Sequence, residues 1–199
     1  MGDEGAADDR LATPGHGSSP EHGGSPDAPR TPVQPGGHAP PGWLDRVAWA
    51  RARSGQDCAL CADVHLAVNR FSYLVAELER SYVRLPRNQF HPGYTLVALK
   101  RHANELFELE PAELAGFWAE VAAVARAVDA LYRPAKINYG VFGNLCPHIH
   151  CHVVPQAATD DPTRPLDMQP EIRLSEAEYA ERVATLRAAL QGQAGRDEA

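Results

Sequence analysis

Three histidines at strict alternation, in His148-Ile149-His150-Cys151-His152 followed by Val153 and Val154, constrain this chain more than any other feature of its sequence. In a β-strand successive side chains point to opposite faces, so residues i, i+2 and i+4 share one side. The run therefore predicts a strand over Ile149–Val154, with the three imidazoles on one face and Ile149, Cys151 and Val153 on an apolar face opposite. Alternate residues of a strand stand ~6.5–7 Å apart, so two neighbouring imidazoles can share a group the size of a phosphate. A row of nitrogens able to attack, orient or donate a hydrogen bond near neutral pH is a candidate reaction centre.

The surrounding pattern says what carries that strand. Tyr73–Leu78 and Tyr82–Leu85 read as a hairpin across Glu79-Arg80-Ser81, and Tyr94–Leu99 as a third strand opened by the turn pair Pro92-Gly93. A helix is predicted over Pro111–Tyr132. Proline suits its first turn, and Leu114, Phe117, Trp118, Val121, Val124, Val128 and Leu131 trace a stripe at helical spacing. Phe117 and Trp118 read as core packing. Ile137–Phe142 adds a strand. Ser175 with Glu178 makes a capping box for a last helix through Tyr179, Val183, Leu186 and Leu190. Strands and one long helix without βαβ repetition predict an α+β domain, an antiparallel sheet of about five strands with one long helix and a C-terminal helix.

The 199 residues suffice for one well-buried domain. Residues 1–42 hold 8 of the 17 prolines and 9 of the 16 glycines, too little apolar surface to offset ordering, so they are expected to be a disordered tail, with His16, His22 and His38 solvated in it. The domain is expected over 43–192, opened by a short amphipathic helix around Trp43, Leu44, Val47 and Trp49, with a flexible terminus at 193–199. A net charge of −7 argues against general nucleic-acid or membrane-surface binding, so an anionic substrate needs a local site. No apolar run is long enough to span a membrane, and the first residues lack the features of a secretory signal. The four cysteines then read as thiols rather than disulfides, in a reducing cytoplasm. Cys58 and Cys61 have the spacing that lets two thiolates grip one tetrahedral ion, which needs two further ligands. No βαβ unit follows them to support a redox motif. Cys146 and Cys151 read as small core or wall residues, and His65 and His91 as surface residues. A Walker-type phosphate loop is absent from the sequence.

The string from His148 to Val154 resembles the signature of the histidine triad family, in which three histidines alternate with apolar residues and two more apolar residues follow. The resemblance extends over residues 56–156, taking in Cys58-x-x-Cys61, Pro92-Gly93, the Leu99–His102 segment, the long helix and the triad strand in order. It implies a hydrolase or transferase acting at the α-phosphate of nucleotides, many relatives resembling diadenosine polyphosphate hydrolases or nucleoside phosphoramidases. His150 would be the nucleophile forming a nucleotidyl-histidine intermediate, His152 a donor to a non-bridging or leaving oxygen, and Asn144 an amide contact to the bridging or leaving phosphate. Asn138 is a further candidate for substrate binding. The zinc ligands of metal-bearing relatives fall on Cys58, Cys61, His102 and His148, a closed structural Zn2+ site. Relatives are often homodimers through the long helix and an edge strand, so a homodimer is expected by analogy.

The chain also departs from the family. Tyr94 stands where many relatives have histidine, and Pro86 where relatives often bind the ribose hydroxyls with Asp or Asn, which leaves Asn88 as the substitute. Leu145 replaces the serine of the phosphoramidase branch, which favours polyphosphate-type leaving groups, and Gln156 replaces a frequent arginine. The leading reading is a hydrolase of a dinucleoside polyphosphate. A nucleotidyltransferase or phosphorylase using the same intermediate, and a non-catalytic nucleotide-binding, zinc-stabilised interaction module, are the alternatives.

Overall fold

Apolar alternation organises five strands into one antiparallel sheet: β1 (Ser72–Glu77), β2 (Ser81–Pro86), β3 (Thr95–Leu99), β4 (Lys136–Val141) and β5 (His150–Gln156), in the spatial order β1-β2-β3-β5-β4. Among the described residues four α-helices accompany it: α1 (Arg46–Arg53), α2 (Ala59–Asp63), α3 (Pro111–Tyr132) and α4 (Glu176–Asp197). This computed structural model describes residues 45–197, so the expected disordered block 1–42, Trp43 and Leu44 lie outside the described residues. The α+β architecture expected from the sequence is the one observed.

One face of the sheet is the core. Tyr73, Val75, Val83, Leu85, Val97, Leu99, Cys151 and Val153 are buried there together with Phe117, Val121, Val124 and Val128 of α3 and Tyr179, Leu186 and Leu190 of α4. α3 lies across β2, β3 and β5, and α4 lies beside α3 and β1. The alternation fixes what the opposite face receives: Leu96, Ala98, His150 and His152.

Strand and helix ends follow local chemistry. Tyr94 stands just before β3 because its N–H turns back to the His91 carbonyl at 2.9 Å. β5 runs on through Pro155 to Gln156; its pairing with β3 has ended at Val153, so proline's missing N–H falls where one side of the strand is an edge. Asp45 caps α1, its Oδ1 accepting from the Ala48 N–H at 3.0 Å, although no residue of this short helix is buried. α4 continues to Asp197, past the expected domain end at 192.

The capping box at α4 is complete: the Ser175 N–H donates to Glu178 Oε2 at 2.7 Å, and the Glu178 N–H donates to Ser175 Oγ at 3.3 Å. Ser175→Ala should therefore lower stability by about 1 kcal/mol in denaturant titration, with activity unchanged. An unaltered midpoint would show that the box contributes nothing.

Candidate active site and metal cluster

β5 presents His150 and His152 between two partner strands: His150 is opposite Ala98 of β3, and His152 is opposite Leu96 of β3 and Gly140 of β4. Gly140 leaves room for the Phe142 ring to pack over it. A Cβ there would lie 2.4 Å from the Phe142 ring, which folds back to within 5.4 Å of the His152 ring.

Each imidazole has one nitrogen committed to the protein. The His150 Nδ1–H donates to the His148 carbonyl at 2.6 Å, so Nε2 keeps its lone pair. Burial holds the His150 pKa below the usual imidazole range, so the ring is neutral at neutral pH. Nδ1 of His152 is hydrogen-bonded to Tyr94 Oη at 2.6 Å, and burial, then the neighbouring His150, pushes the His152 pKa down to about 4. Their ring centroids are 5.0 Å apart. Two neutral imidazoles side by side can attack and can donate, and neither carries a charge that would have to be neutralised first.

His150 opens into a cavity of about 670 Å³, within the range of small-molecule sites. Its walls are mostly apolar, with Leu60, Phe71, Leu96, Ala98, Tyr94 and Met168 among them. Arg84 lies beneath, 1% exposed, and its donors go to the protein: Nε to Ser72 Oγ, Nη1 to the Val64 and Leu66 carbonyls, and Nη2 to the Ser72 carbonyl, at 2.6–2.8 Å. It braces the wall through neutral acceptors. Of the rim cations, Arg87 pairs with Glu176 at 3.1 Å and Arg173 with Glu171 at 2.8 Å, while the Arg70 guanidinium lies over the Phe71 ring at 4.4 Å. A shallower hollow of about 870 Å³ lies between α3 and β4, but no histidine lines it.

The amides expected to serve the substrate are placed differently from one another. Asn88 lines the cavity, but its Nδ2 donates to the Met168 carbonyl at 2.9 Å and its Oδ1 accepts from the Phe90 and Ile172 N–H groups. These bonds tie Asn88 to the segment that closes the cavity. Asn138 lies opposite Val154, outside the His150 cavity, and donates to Gln156 Oε1 at 2.8 Å. That bond supports the far end of the strand. Asn144 is exposed and lines a neighbouring hollow of about 530 Å³ with Trp49, Phe107 and Phe142. His91 needs correction. It is 2% exposed rather than at the surface, because the connection after β5 folds over it: Nε2 donates to the Asp167 carbonyl at 2.7 Å, and Nδ1 lies 3.2 Å from Asp160. Nothing in the sequence pattern marked Arg84, Met168 or the Tyr94–His152 pair, since each depends on contacts between distant segments.

A second constellation adjoins the first. Ligand atoms of Cys58, Cys61, His102 and His148 all lie within 4.8 Å of one another and could hold a metal ion. Cys58 Sγ and Cys61 Sγ are each 3.4 Å from His148 Nδ1, and Cys61 Sγ is 3.3 Å from His102 Nδ1. Both imidazoles have the tautomer a metal needs. His148 Nε2–H donates to the Leu99 carbonyl at 2.7 Å and His102 Nε2–H to the Arg53 carbonyl at 2.8 Å, leaving each Nδ1 lone pair facing the sulfurs. The Cys146 thiol, 3.6 Å away, and the His148 ring hold the Cys58 thiol far below its usual range, against the effect of burial, so Cys58 is a thiolate, the form that ligates. Tetrahedral zinc, with bonds of ~2.3 Å to sulfur and ~2.0–2.1 Å to nitrogen, spaces neighbouring S and N ligands by about 3.5 Å, so the donor set fits.

Compared with known proteins, residues 69–159 match the HIT domain family. Among solved structures, a zinc-bound histidine triad family protein from Mycobacterium smegmatis is 27% identical, covering 70% of this chain and 97% of that one with a TM-score of 0.54. A histidine triad protein from Bradyrhizobium japonicum (21% identical, 64% and 97% covered, TM-score 0.58) and another from Marinobacter aquaeolei (20%, 65% and 96%, 0.58) share the fold. Among curated protein sequences none matches this chain. Among the described residues no helix is long and apolar enough to cross a membrane.

Proposed function

This chain carries a histidine triad (HIT) domain, and from that premise we propose that it is a nucleotide hydrolase cleaving at the α-phosphate of a dinucleoside polyphosphate-type substrate. The observation that carries the reading is the tautomer of His150: its Nδ1–H is tied to the His148 carbonyl, so a neutral Nε2 lone pair is available at a cavity of about 670 Å³. That lone pair forms a P–N bond to the α-phosphorus while the bond to the bridging oxygen breaks and its electron pair leaves on the departing polyphosphate. The His148 carbonyl then faces the positive ring of the nucleotidyl-histidine, a charge-assisted hydrogen bond that favours the intermediate. Water attacks the same phosphorus, the P–N pair returns to Nε2, a water proton passes to solvent, and nucleoside monophosphate departs.

Beside this centre, Cys58, Cys61, His102 and His148 would hold one structural zinc ion, a closed set that leaves no position for catalytic water. Its part is to tie α2 and the segment after β3 to the start of the catalytic strand. Thiolate ligands and four free cysteines suit a reducing compartment, and we place the protein in the cytoplasm. The free edge of β4 beside α3 is where a homodimer would form.

Incubating the protein with labelled dinucleoside polyphosphate, with and without inorganic phosphate, tests the reading. Nucleoside monophosphate in both arms supports hydrolysis. Nucleoside diphosphate formed only with phosphate would make the enzyme a phosphorylase, and no product in either arm would leave a binding module. On the best substrate, His152→Ala should lower kcat by ~10²–10³-fold, the scale of losing one transition-state donor. A change of less than threefold would remove His152 from the mechanism.

A further inference from the structure

We propose that Tyr94 is a positioning residue for this reaction, donating its hydroxyl proton to Nδ1 of His152 so that His152 presents Nε2–H to the substrate. The inference rests on the proposed function for its catalytic consequence, but the hydrogen-bond assignment stands on geometry alone. Tyr94 is 6% exposed, its Oη lies 2.6 Å from His152 Nδ1, and among the described residues that hydroxyl has no other hydrogen-bond partner. A buried O–H with one acceptor in reach points at it, because leaving it unpaired would forfeit its hydration without return. Burial raises the Tyr94 pKa well above the usual phenol range, so the hydroxyl keeps its proton. A neutral imidazole that accepts at Nδ1 carries its hydrogen on Nε2.

The two catalytic imidazoles thus have opposite tautomers. His150 is protonated at Nδ1 by its bond to the His148 carbonyl and has a lone pair at Nε2; His152 has the reverse. That arrangement supplies one nucleophile and one donor to a single phosphate. If His152 carried its proton on Nδ1 instead, the Nε2 lone pair would face phosphate oxygens and repel them. Tyr94 also restrains rotation of the ring, since the two rings lie nearly parallel with centroids 5.9 Å apart.

The local backbone exists to place this hydroxyl. Gly93 has φ +89, a conformation other residues rarely adopt, and a Cβ there would lie 2.5 Å from the Tyr132 ring. The Pro92-Gly93 turn delivers Tyr94 at the mouth of β3, two residues before Leu96, the cross-strand partner of His152.

The test is Tyr94→Phe, which keeps the ring and removes the hydroxyl. With 15N-labelled histidine, two-bond 1H–15N spectra of the wild-type protein should show His152 protonated at Nε2 and unprotonated at Nδ1. In the variant the Nδ1 signal should move to that of a free acceptor, with Nδ1–H tautomer appearing. Kinetically, kcat should fall about 10-fold with KM changed less than about threefold, a smaller loss than removing the donor altogether. His152 protonated at Nδ1 in the wild type would overturn the proposal, as would a variant with wild-type kcat and an unmoved Nδ1 signal. The wild-type spectrum decides the assignment even if the variant fails to fold. It also decides it if no nucleotide is turned over, which would sink the proposed function and leave the hydrogen bond standing.

Discussion

His150→Ala should reduce turnover by about 10⁴–10⁶-fold while leaving the fold intact, the scale seen when a covalent nucleophile is removed. Strand alternation and the metal cluster together leave no substitute. His148 is buried, with Nε2 bonded to Leu99 and Nδ1 turned to the two cysteine sulfurs, so it cannot attack. His152 has its Nδ1 bonded to Tyr94 and serves as a donor. Among the described residues no other one lining the cavity is an unburdened nucleophile: the Cys146 thiol is raised far above its usual pKa by the neighbouring Cys58 and by burial, and so remains protonated. The fold should survive because His150 is only partly buried and its one hydrogen bond is to a carbonyl two residues away. Circular dichroism and thermal melting would verify that the variant is folded. A rate above a tenth of wild type would rule out the covalent route and return the triad to a binding surface.

The parts of this account legible in sequence are those in which the relevant contacts recur at a fixed spacing. The period of two around His148–His152 set which face holds imidazoles and which holds Ile149, Cys151 and Val153; the structure keeps that division for His150 and His152, whereas His148 lies before β5 and turns to Cys58 and Cys61. The apolar stripe and first-turn proline placed the long helix at Pro111–Tyr132, the bounds observed. Of the metal quartet, the spacing marked only Cys58 and Cys61; His102 and His148 came from the resemblance, and the structure brings the donor atoms of all four together. The partners of Asn88 and His91 were hidden in the sequence for a shared reason. Their partners, Met168, Ile172, Asp160 and Asp167, sit in a long connection whose path has no periodicity, so nothing in sequence showed that it would fold back and occupy them. Tyr94 looked like a loss when judged by residue type. Only the pairing of β3 with β5 reveals that its hydroxyl reaches His152.

Cys61→Ser should lower bound zinc from about one ion per chain to near zero and cost ~3–5 kcal/mol, the range in which loss of a metal site stands out among point substitutions. The four ligands come from three segments far apart in sequence: the start of α2, the stretch after β3 and the residue pair before β5. Without the ion, Cys58 and His148 remain buried at 3% and 1% exposure, with a thiolate and an imidazole lone pair facing each other. The damage should also reach catalysis, since the carbonyl that fixes the His150 tautomer belongs to His148, a member of the metal set. For a domain of this size the loss corresponds to a fall in Tm of about 10 °C. Chelator treatment of the wild-type protein should approach the same state, and added zinc should reverse it. Metal analysis near zero that does not rise on zinc supply, or a variant that melts with the wild type, would count against a structural metal.

The central claim is that the α-phosphate passes through a covalent bond to His150, and trapping that bond tests it most directly. A single turnover with labelled substrate, quenched in alkaline denaturant where a P–N bond survives, should leave nucleotide on the wild-type chain. Peptide mass spectrometry should find the nucleotidyl group on His150, and His150→Ala should carry none. Turnover with no adduct at any time point, or an adduct on another residue, would contradict the account.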